Sequence, residues 1–229
     1  DVINNYNVSI IEENTTNDKT IQYASIAIYN NGTIENVKNN GNISITATEI
    51  YVGGIAVSNY SGALIKSAGS KGSITINYQK SGKSYVGGIV TYNEGTLSYC
   101  YSTNTFAVSS NSTMQETNIG GLIGYSQGGK IENSYVNVSL GATSGIQLYQ
   151  VIGKLTAAEG FAENVYYNEN LSNPYANGTV STGFKTYTNL LQDATGLFGS
   201  NTLFNQTDAE NGNPRLNFES TFENIIWKK

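Results

Sequence analysis

A double-glycine segment recurs three times in this chain of 229 residues, at a nearly constant spacing. The copies read Tyr51-Val-Gly-Gly-Ile-Ala-Val, Tyr85-Val-Gly-Gly-Ile-Val-Thr and Asn118-Ile-Gly-Gly-Leu-Ile-Gly, and their first residues lie 34 and 33 positions apart. Periods of about 20 to 50 residues are typical of solenoids and other repeat arrays, in which each unit packs on its neighbours. The spacing therefore predicts stacked repeats rather than one closed globule.

Each repeat contains short strands separated by turns. A turn and a second strand follow the double glycine, at 92–101 in one copy and at 126–135 in the next, and degenerate copies lie at 24–37 and 151–166. A third, alternating strand closes each unit, as Ile43-Ser-Ile-Thr, Ile74-Thr-Ile-Asn, Phe106-Ala-Val-Ser and Val136-Asn-Val-Ser. Period-two alternation, β-branched residues and frequent Gly and Asn favour strands over helices. We predict an all-β fold, a parallel β-solenoid (β-helix) of about five three-stranded coils at 20–182.

The ends of the chain are less regular than the repeats. We expect residues 1–19 to form an N-terminal edge or linker and residues 183–229 to form a C-terminal cap and tail. Within that cap, 188–192 fits one helical turn and 215–218 fits a closing strand. An uncapped solenoid end exposes unpaired strand edges, so 183–218 are expected to cover that end.

Residues 120–135 resemble the GLUG motif, whose name describes a segment that Gly121-Leu-Ile-Gly124 matches. Leu97 to Tyr101 matches the element that continues the motif, and the tail at 164–216 is similar to the way such arrays end. The resemblance covers about 200 residues. It implies a module of secreted or surface-bound proteins, found in adhesin-like chains and beside secreted metallopeptidase domains.

Composition agrees with a secreted or surface-bound protein. A net charge of −5 and a single Arg argue against nucleic-acid binding, which requires a basic patch. No apolar run of 18 residues exists, so we expect no membrane insertion. The first residues do not read as a signal peptide, so we expect a mature or excised piece of a longer secreted protein. The expected location is extracellular or at the cell surface.

The sequence argues against catalysis. The chain has no His, which excludes His-dependent triads, His general bases and His-ligated zinc. Glu132 and Glu163 occupy equivalent repeat positions and would lie about 5 Å apart on neighbouring strands, close enough to perturb each other's pKa. The favoured interpretation is two solvated carboxylates. The double glycines are not followed by the Gly-Lys-Ser/Thr of a phosphate loop. We expect no enzyme activity, no bound metal and no cofactor.

Three tyrosines are the candidate ligand-binding residues. Tyr101, Tyr135 and Tyr166 share one repeat position, and alternation turns Tyr135 outward if Val136 and Val138 point inward. Two interpretations remain open. The strip of rings binds sugars or a protein partner, or it is a ladder that stabilises the solenoid surface.

The single Cys and the sequons complete the candidate residues. Cys100 shares a repeat position with Val37, Ser134 and Val165, which predicts a buried thiol. Ten Asn-x-Ser/Thr sequons permit glycosylation in a eukaryotic secretory route: Asn7, Asn14, Asn31, Asn42, Asn59, Asn111, Asn137, Asn170, Asn177 and Asn205.

The sequence is consistent with two functions. The first is a non-catalytic structural or adhesive module of a surface protein or extracellular filament. The second is an accessory region of a larger secreted enzyme such as a metallopeptidase, binding its substrate or a glycan. The expected partners are host or neighbouring-cell glycans or proteins, or other subunits of a surface assembly.

Overall fold

The computed structural model describes residues 1–12, 20–79, 82–110, 116–142, 146, 148–156, 161–168, 183–187, 203–210 and 213–222. These residues form parallel sheets, one antiparallel hairpin and one short helix. Within them, no helix has both the length and the apolar character needed to cross a membrane.

Three parallel sheets form the sides of the solenoid. The first sheet contains β3 (Thr20–Ala24), β7 (Glu49–Gly53), β10 (Lys83–Gly87), β13 (Glu116–Gly120) and β17 (Leu148–Tyr149). The second contains β4 (Ala27–Asn30), β8 (Ala56–Asn59), β11 (Val90–Asn93), β14 (Ile123–Ser126) and β18 (Ile152–Leu155). The third and largest contains β5 (Thr33–Asn39), β6 (Ile43–Ala47), β9 (Leu64–Tyr78), β12 (Thr96–Ser110), β15 (Lys130–Val136), β16 (Ser139–Ala142) and β19 (Phe161–Asn168).

The remaining elements lie toward the ends of the chain. They are β1 (Val2–Asn4), β2 (Val8–Ile11), β20 (Phe184–Tyr187), β21 (Phe204–Glu210), β22 (Asn213–Leu216) and helix α1 (Asn217–Phe222). Strands β1 and β2 pair in parallel with β5 and β6, and β20 pairs in parallel with β19. The third sheet therefore extends beyond the repeats at both ends.

The predicted parallel β-solenoid is confirmed. Four coils are complete within the described residues, and the fifth is shorter because its first strand has only two residues. The double-glycine strands pair in the predicted register, with Tyr85 opposite both Tyr51 and Asn118. The repeat spacing thus fixes which residues of neighbouring coils lie side by side.

The predicted third strand of the fourth coil is wrong by four residues. Val136 lies opposite Ser102, and it is Leu140 that lies opposite Phe106. Val136 and Val138 are both buried, so their alternation also suits the position that they occupy. A period of two specifies which side chains face inward but leaves several registers open.

The core is a narrow stack of matching rows. Ile43, Ile74 and Phe106 are paired through three coils and fully buried. A polar row runs parallel to them, in which the Asn59 side-chain amide donates to Asn93 Oδ1 and accepts from Asn30 Nδ2, both at 2.8 Å. Buried amides are stable when partnered, so this ladder allows polar residues inside the solenoid.

A left-handed residue bends every coil at one position of the third sheet. The five residues have φ between +46° and +54° and are Asn36, Ser67, Tyr99, Asn133 and Asn164. The bend interrupts the in-and-out alternation of side chains: Leu97 and Cys100 are three positions apart, yet both are fully buried. Tyr101 is thereby directed away from the core.

The C-terminal elements cover the side of the solenoid rather than its end. Glu219 of α1 contacts Lys38 in the first coil and Tyr101 in the third, while Pro214 of β22 contacts Tyr135 in the fourth. The expectation of an end cap is therefore wrong for the described residues at 204–210 and 213–222. The predicted closing strand begins earlier, at Asn213, and α1 begins at Asn217. The predicted helical turn at 188–192 lies outside the described residues.

Candidate functional site

The predicted tyrosine strip forms a column in the expected register. Tyr101 lies opposite Tyr135, which lies opposite Tyr166. The Tyr101 and Tyr135 rings stack 5.3 Å apart with an angle of 7° between their planes. All three point away from the core of the repeats and pack in a separate apolar cluster.

This tyrosine column is covered, so the expectation of an open strip is wrong. Tyr101, Tyr135 and Tyr166 are 4%, 0% and 2% exposed. The Phe204 ring lies 5.1 Å from the Tyr135 ring, and the Tyr135 hydroxyl donates to the Pro214 carbonyl at 2.6 Å. The rings point out of the solenoid as expected, but the hairpin of β21 and β22 packs over that face.

The cover over the tyrosine column consists of β21, β22 and α1, and a buried ion network holds it against the solenoid. Glu219 is 0% exposed and contacts the Lys38 ammonium, which is also buried. The Tyr101 hydroxyl donates to Glu219 Oε1 at 2.9 Å, and Arg215 Nε lies 3.6 Å from Glu219 Oε2. A buried carboxylate is stable only with such partners, so this carboxylate joins the C-terminal segment to the first and third coils.

A cleft of about 330 Å³ remains between the cover and the solenoid. Its lining is mainly polar, with Tyr101 and Tyr135 as its aromatic part. This volume is at the lower end of the range, about 300 to 1,000 Å³, that is usual for small-molecule sites. Two of the predicted binding residues, Tyr101 and Tyr135, therefore line a half-open cleft instead of an open surface.

A second group of tyrosines lies at the double-glycine corner. This tyrosine cluster consists of Tyr51, Tyr85, Tyr92 and Tyr125. Tyr85 is central, with ring centroids 5.7 Å from Tyr51, 5.3 Å from Tyr92 and 5.2 Å from Tyr125. Tyr85 is nearly buried, whereas the other three are partly exposed. The cluster spans three coils and both sides of the corner.

The two glycines allow the chain to pass through this corner. A Cβ on Gly87 would lie 1.9 Å from the carbonyl oxygen of Val90 within the same coil. A Cβ on Gly88 would lie 2.0 Å from the carbonyl oxygen of Gly121 in the next coil. The first glycine thus permits the close approach of β10 and β11 that brings Tyr85 against Tyr92, and the second permits the coils to stack.

Two carboxylates and one ammonium group lie close to the tyrosine cluster. Burial and the Glu49 carboxylate raise the pKa of Tyr51, and burial and Glu116 raise the pKa of Tyr85. The pKa of Glu116 itself is lowered, chiefly by its hydrogen bond with Lys154. The Lys154 ammonium lies 5.3 Å from the centre of the Tyr125 ring. Tyr51 and Tyr85 therefore stay neutral at physiological pH.

A notch of about 120 Å³ adjoins the cluster at Tyr92. Its other lining residues carry hydroxyl, amide and carboxylate groups: Ser58, Asn59, Tyr60, Glu94 and Gln127. The Gln127 side-chain amide donates to the Tyr125 hydroxyl at 3.2 Å. The site thus combines aromatic rings with hydrogen-bonding groups.

The candidate carboxylate pair is an ion-paired surface feature. Glu132 and Glu163 lie opposite each other as expected, and Lys130 contacts both, with 3.8 Å from its Nζ to Glu163 Oε2. Burial alone would raise the pKa of Glu132, but hydrogen bonds from Lys130 and Ser98 outweigh it and keep that pKa low. A general acid requires a raised pKa, so Glu132 is poorly suited to that role.

Cys100 is fully buried, as predicted, and burial raises the pKa of its thiol to about 12. The described residues contain no group of three or more Cys, Asp or Glu that could hold a metal ion.

The sequons differ in accessibility. Asn7, Asn31 and Asn42 are exposed. Asn59 is 1% exposed and both ends of its amide are used in the buried ladder, so glycosylation at Asn59 is incompatible with this fold. Asn137 and Asn205 are half-buried, and Asn137 donates to Asn213. Asn14, Asn111, Asn170 and Asn177 lie outside the described residues.

The tyrosine cluster is the feature that the sequence reasoning missed. A signal was present, because Tyr51 and Tyr85 both stand two residues before a double glycine. Tyr92 and Tyr125 share a second repeat position beyond it. The sequence pattern does not predict the angle of the corner, and only that angle brings the row of Tyr51 and Tyr85 against the row of Tyr92 and Tyr125.

Residues 115–141 match the family model described as the GLUG motif, and they coincide with the fourth coil, from the start of β13 into β16. No curated protein and no solved structure matches the chain significantly. The chain therefore contains a GLUG motif at 115–141, within repeats that stack as a parallel β-solenoid.

Proposed function

We propose that this chain is a non-catalytic recognition module of an extracellular or cell-surface protein, which adheres to a surface through side chains held in rows by its coils. The observation that carries the proposal is the tyrosine cluster, whose partly exposed rings come from three coils and two sheets. Aromatic residues supply large contact area at little entropic cost.

The rigidity of the scaffold supports this role. The rings are positioned by strands rather than by loops, and fully buried rows lie beneath those strands. A preorganised surface loses less conformational entropy when it binds a partner. The GLUG motif, which resembles those of adhesin-like proteins, agrees with such a role.

The chemistry of the described carboxylates supports a non-catalytic role. Glu132, Glu163 and Glu116 all contact lysines, and the pKa of both Glu132 and Glu116 lies below the usual value. A carboxylate that is ionised and paired with a lysine has no proton to donate at neutral pH.

Bead adhesion tests the proposal. Beads coated with the whole chain are mixed with bacterial cells, animal cells and immobilised matrix proteins, beside beads that carry the heat-unfolded chain. We expect the folded chain to retain beads on at least one surface well above that control. Equal retention by both coatings on every surface would overturn the proposal. Release of soluble fragments from the bound surface would refute its non-catalytic part.

A further inference from the structure

We propose that the tyrosine cluster and the notch beside Tyr92 bind a neutral saccharide chain. This deepens the proposed recognition function and rests on it. The cluster provides the rings and the notch provides the polar groups, and the two share Tyr92.

The composition of the site matches the chemistry of a sugar. A pyranose has apolar C–H faces and a rim of hydroxyls, so it requires aromatic surface with hydrogen-bonding groups at its edge. Here the partly exposed rings of Tyr92 and Tyr125 lie 5.6 Å apart, and the Gln127 amide and the Glu94 carboxylate are exposed beside them.

The length of the cluster suits a chain of sugars. Tyr51, Tyr85 and Tyr125 lie on three successive coils, and parallel strands are about 4.8 Å apart. The rings therefore extend about 10 Å along the solenoid axis, a distance that suits consecutive rings of an oligosaccharide better than one isolated monosaccharide.

Charge separates a neutral saccharide from the other ligands that stack on aromatic rings. Nucleobases also stack on tyrosines, but their phosphates require cations. Three carboxylates lie near the site, Glu49 and Glu116 close to Tyr51 and Glu94 in the notch, and the Lys154 ammonium already contacts Glu116. The same negative charge disfavours sulfated and sialylated sugars.

A protein partner fits the site less well. Stable protein interfaces bury about 800 Å² on each side and have few charged residues at their centre. This cluster is narrow, and charged groups lie directly beside it, at Glu116 and Lys154.

Glycan binding by the whole chain tests the inference. The probes are soluble neutral oligosaccharides built of glucose, galactose, mannose or N-acetylglucosamine, with sialylated and sulfated oligosaccharides and oligothymidylate for comparison. Saturation-transfer NMR identifies a binder, and titration calorimetry measures its affinity. We expect at least one neutral probe to bind and the anionic probes to bind at least tenfold more weakly.

Variants locate the site. Tyr92→Ala is expected to weaken binding at least tenfold, while Tyr92→Phe, which keeps the ring, stays within about threefold. The matched control is Tyr6→Ala, which removes a tyrosine outside the cluster that is 82% exposed. If Tyr92→Ala does not fold, Gln127→Ala changes an exposed residue of the same notch and is expected to lower the affinity at least threefold.

Three results would overturn the inference: no neutral probe binds, anionic probes bind best, or the folded Tyr92 and Gln127 variants bind as tightly as the unaltered chain. Periodate, which cleaves sugar diols, separates this failure from that of the proposed function. If beads still adhere after the target surface is treated with periodate, the saccharide is not the ligand, but the proposed recognition function stands.

Discussion

At the scale of single residues, the double glycine has two separate tasks. Gly53 and Gly87 allow the backbone to fold closely at the corner, whereas Gly54 and Gly88 allow one coil to lie on the next. In both cases the obstacle to a larger residue is a backbone carbonyl within about 2 Å of the added carbon, which cannot move aside as a flexible side chain would. The glycines therefore determine both the stacking and the position of the tyrosine cluster.

Gly88→Ala is expected to destabilise the fold by about 1 to 3 kcal/mol or more, because overpacking forces backbone shifts. Gly32→Ala is the matched control, since a Cβ there meets nothing within 4 Å. Denaturant unfolding of both variants measures the difference. Equal unfolding midpoints would show that the corner is looser than described.

Cys100 is expected to resist thiol reagents. Because burial raises the pKa of its thiol to about 12, almost no thiolate forms at pH 8. Ellman's reagent should label the thiol only after denaturant is added, and rapid labelling of the native chain would contradict its burial. The unfolded thiol ionises near pH 8.5, whereas the buried thiol ionises only near pH 12. The folded state therefore keeps its full stability below about pH 8.5 and loses part of it as the pH rises toward 12.

At the scale of elements, the C-terminal hairpin and helix are tied to the solenoid by polar contacts as well as apolar ones. Phe204 and Leu216 pack with the tyrosine column, and Glu219 joins Lys38, Tyr101 and Arg215. A buried ion pair adds little net stability, yet breaking it leaves a charge without its partner in an apolar place. The hold of these elements therefore depends strongly on one carboxylate.

Glu219→Gln is expected to lower the free energy of unfolding by about 3 to 5 kcal/mol and to loosen β22 and α1, because Lys38 stays buried without its counter-charge. The control is Glu35→Gln, which removes an exposed ion pair with Lys66 (2.7 Å) and should cost about 0 to 1 kcal/mol. Hydrogen exchange of β22 measures both effects. Similar exchange in the two variants would contradict the buried network.

Part of the pairing between strands could be predicted from the sequence. The spacing of the double glycines predicted the register of Tyr51 with Tyr85, and the inward position of Cys100 was correct. Alternation failed at Val136, because a period of two does not distinguish registers that differ by an even number of residues.

The functional surface was harder to predict for the same kind of reason. Tyr101 faces away from the repeats, but its cover comes from residues more than a hundred positions later, to which no local pattern refers. Tyr85 and Tyr92 meet only through the angle of the corner. Long-range packing and the angle of the corner depend on the folded chain, and the spacing of the repeats predicts neither.

At the scale of the whole molecule, the parallel stacking converts one repeat position into a row of side chains. The tyrosine column, the asparagine ladder and the tyrosine cluster all arise in this way. A shift of two residues between neighbouring coils would separate the paired tyrosines. The register of the coils therefore determines all three of these features.

Cysteine cross-linking tests that register most directly. Thr105 and Ser139 are exposed, lie opposite each other on neighbouring coils and are joined by a hydrogen bond of 3.2 Å between their hydroxyls. Strands about 4.8 Å apart bring paired Cα atoms within disulfide range. We expect Thr105→Cys with Ser139→Cys to form a disulfide under mild oxidation, and Ala107→Cys with Ser139→Cys, two residues out of register, to remain reduced. Cross-linking of the second pair in preference to the first would contradict the stacking described for this solenoid.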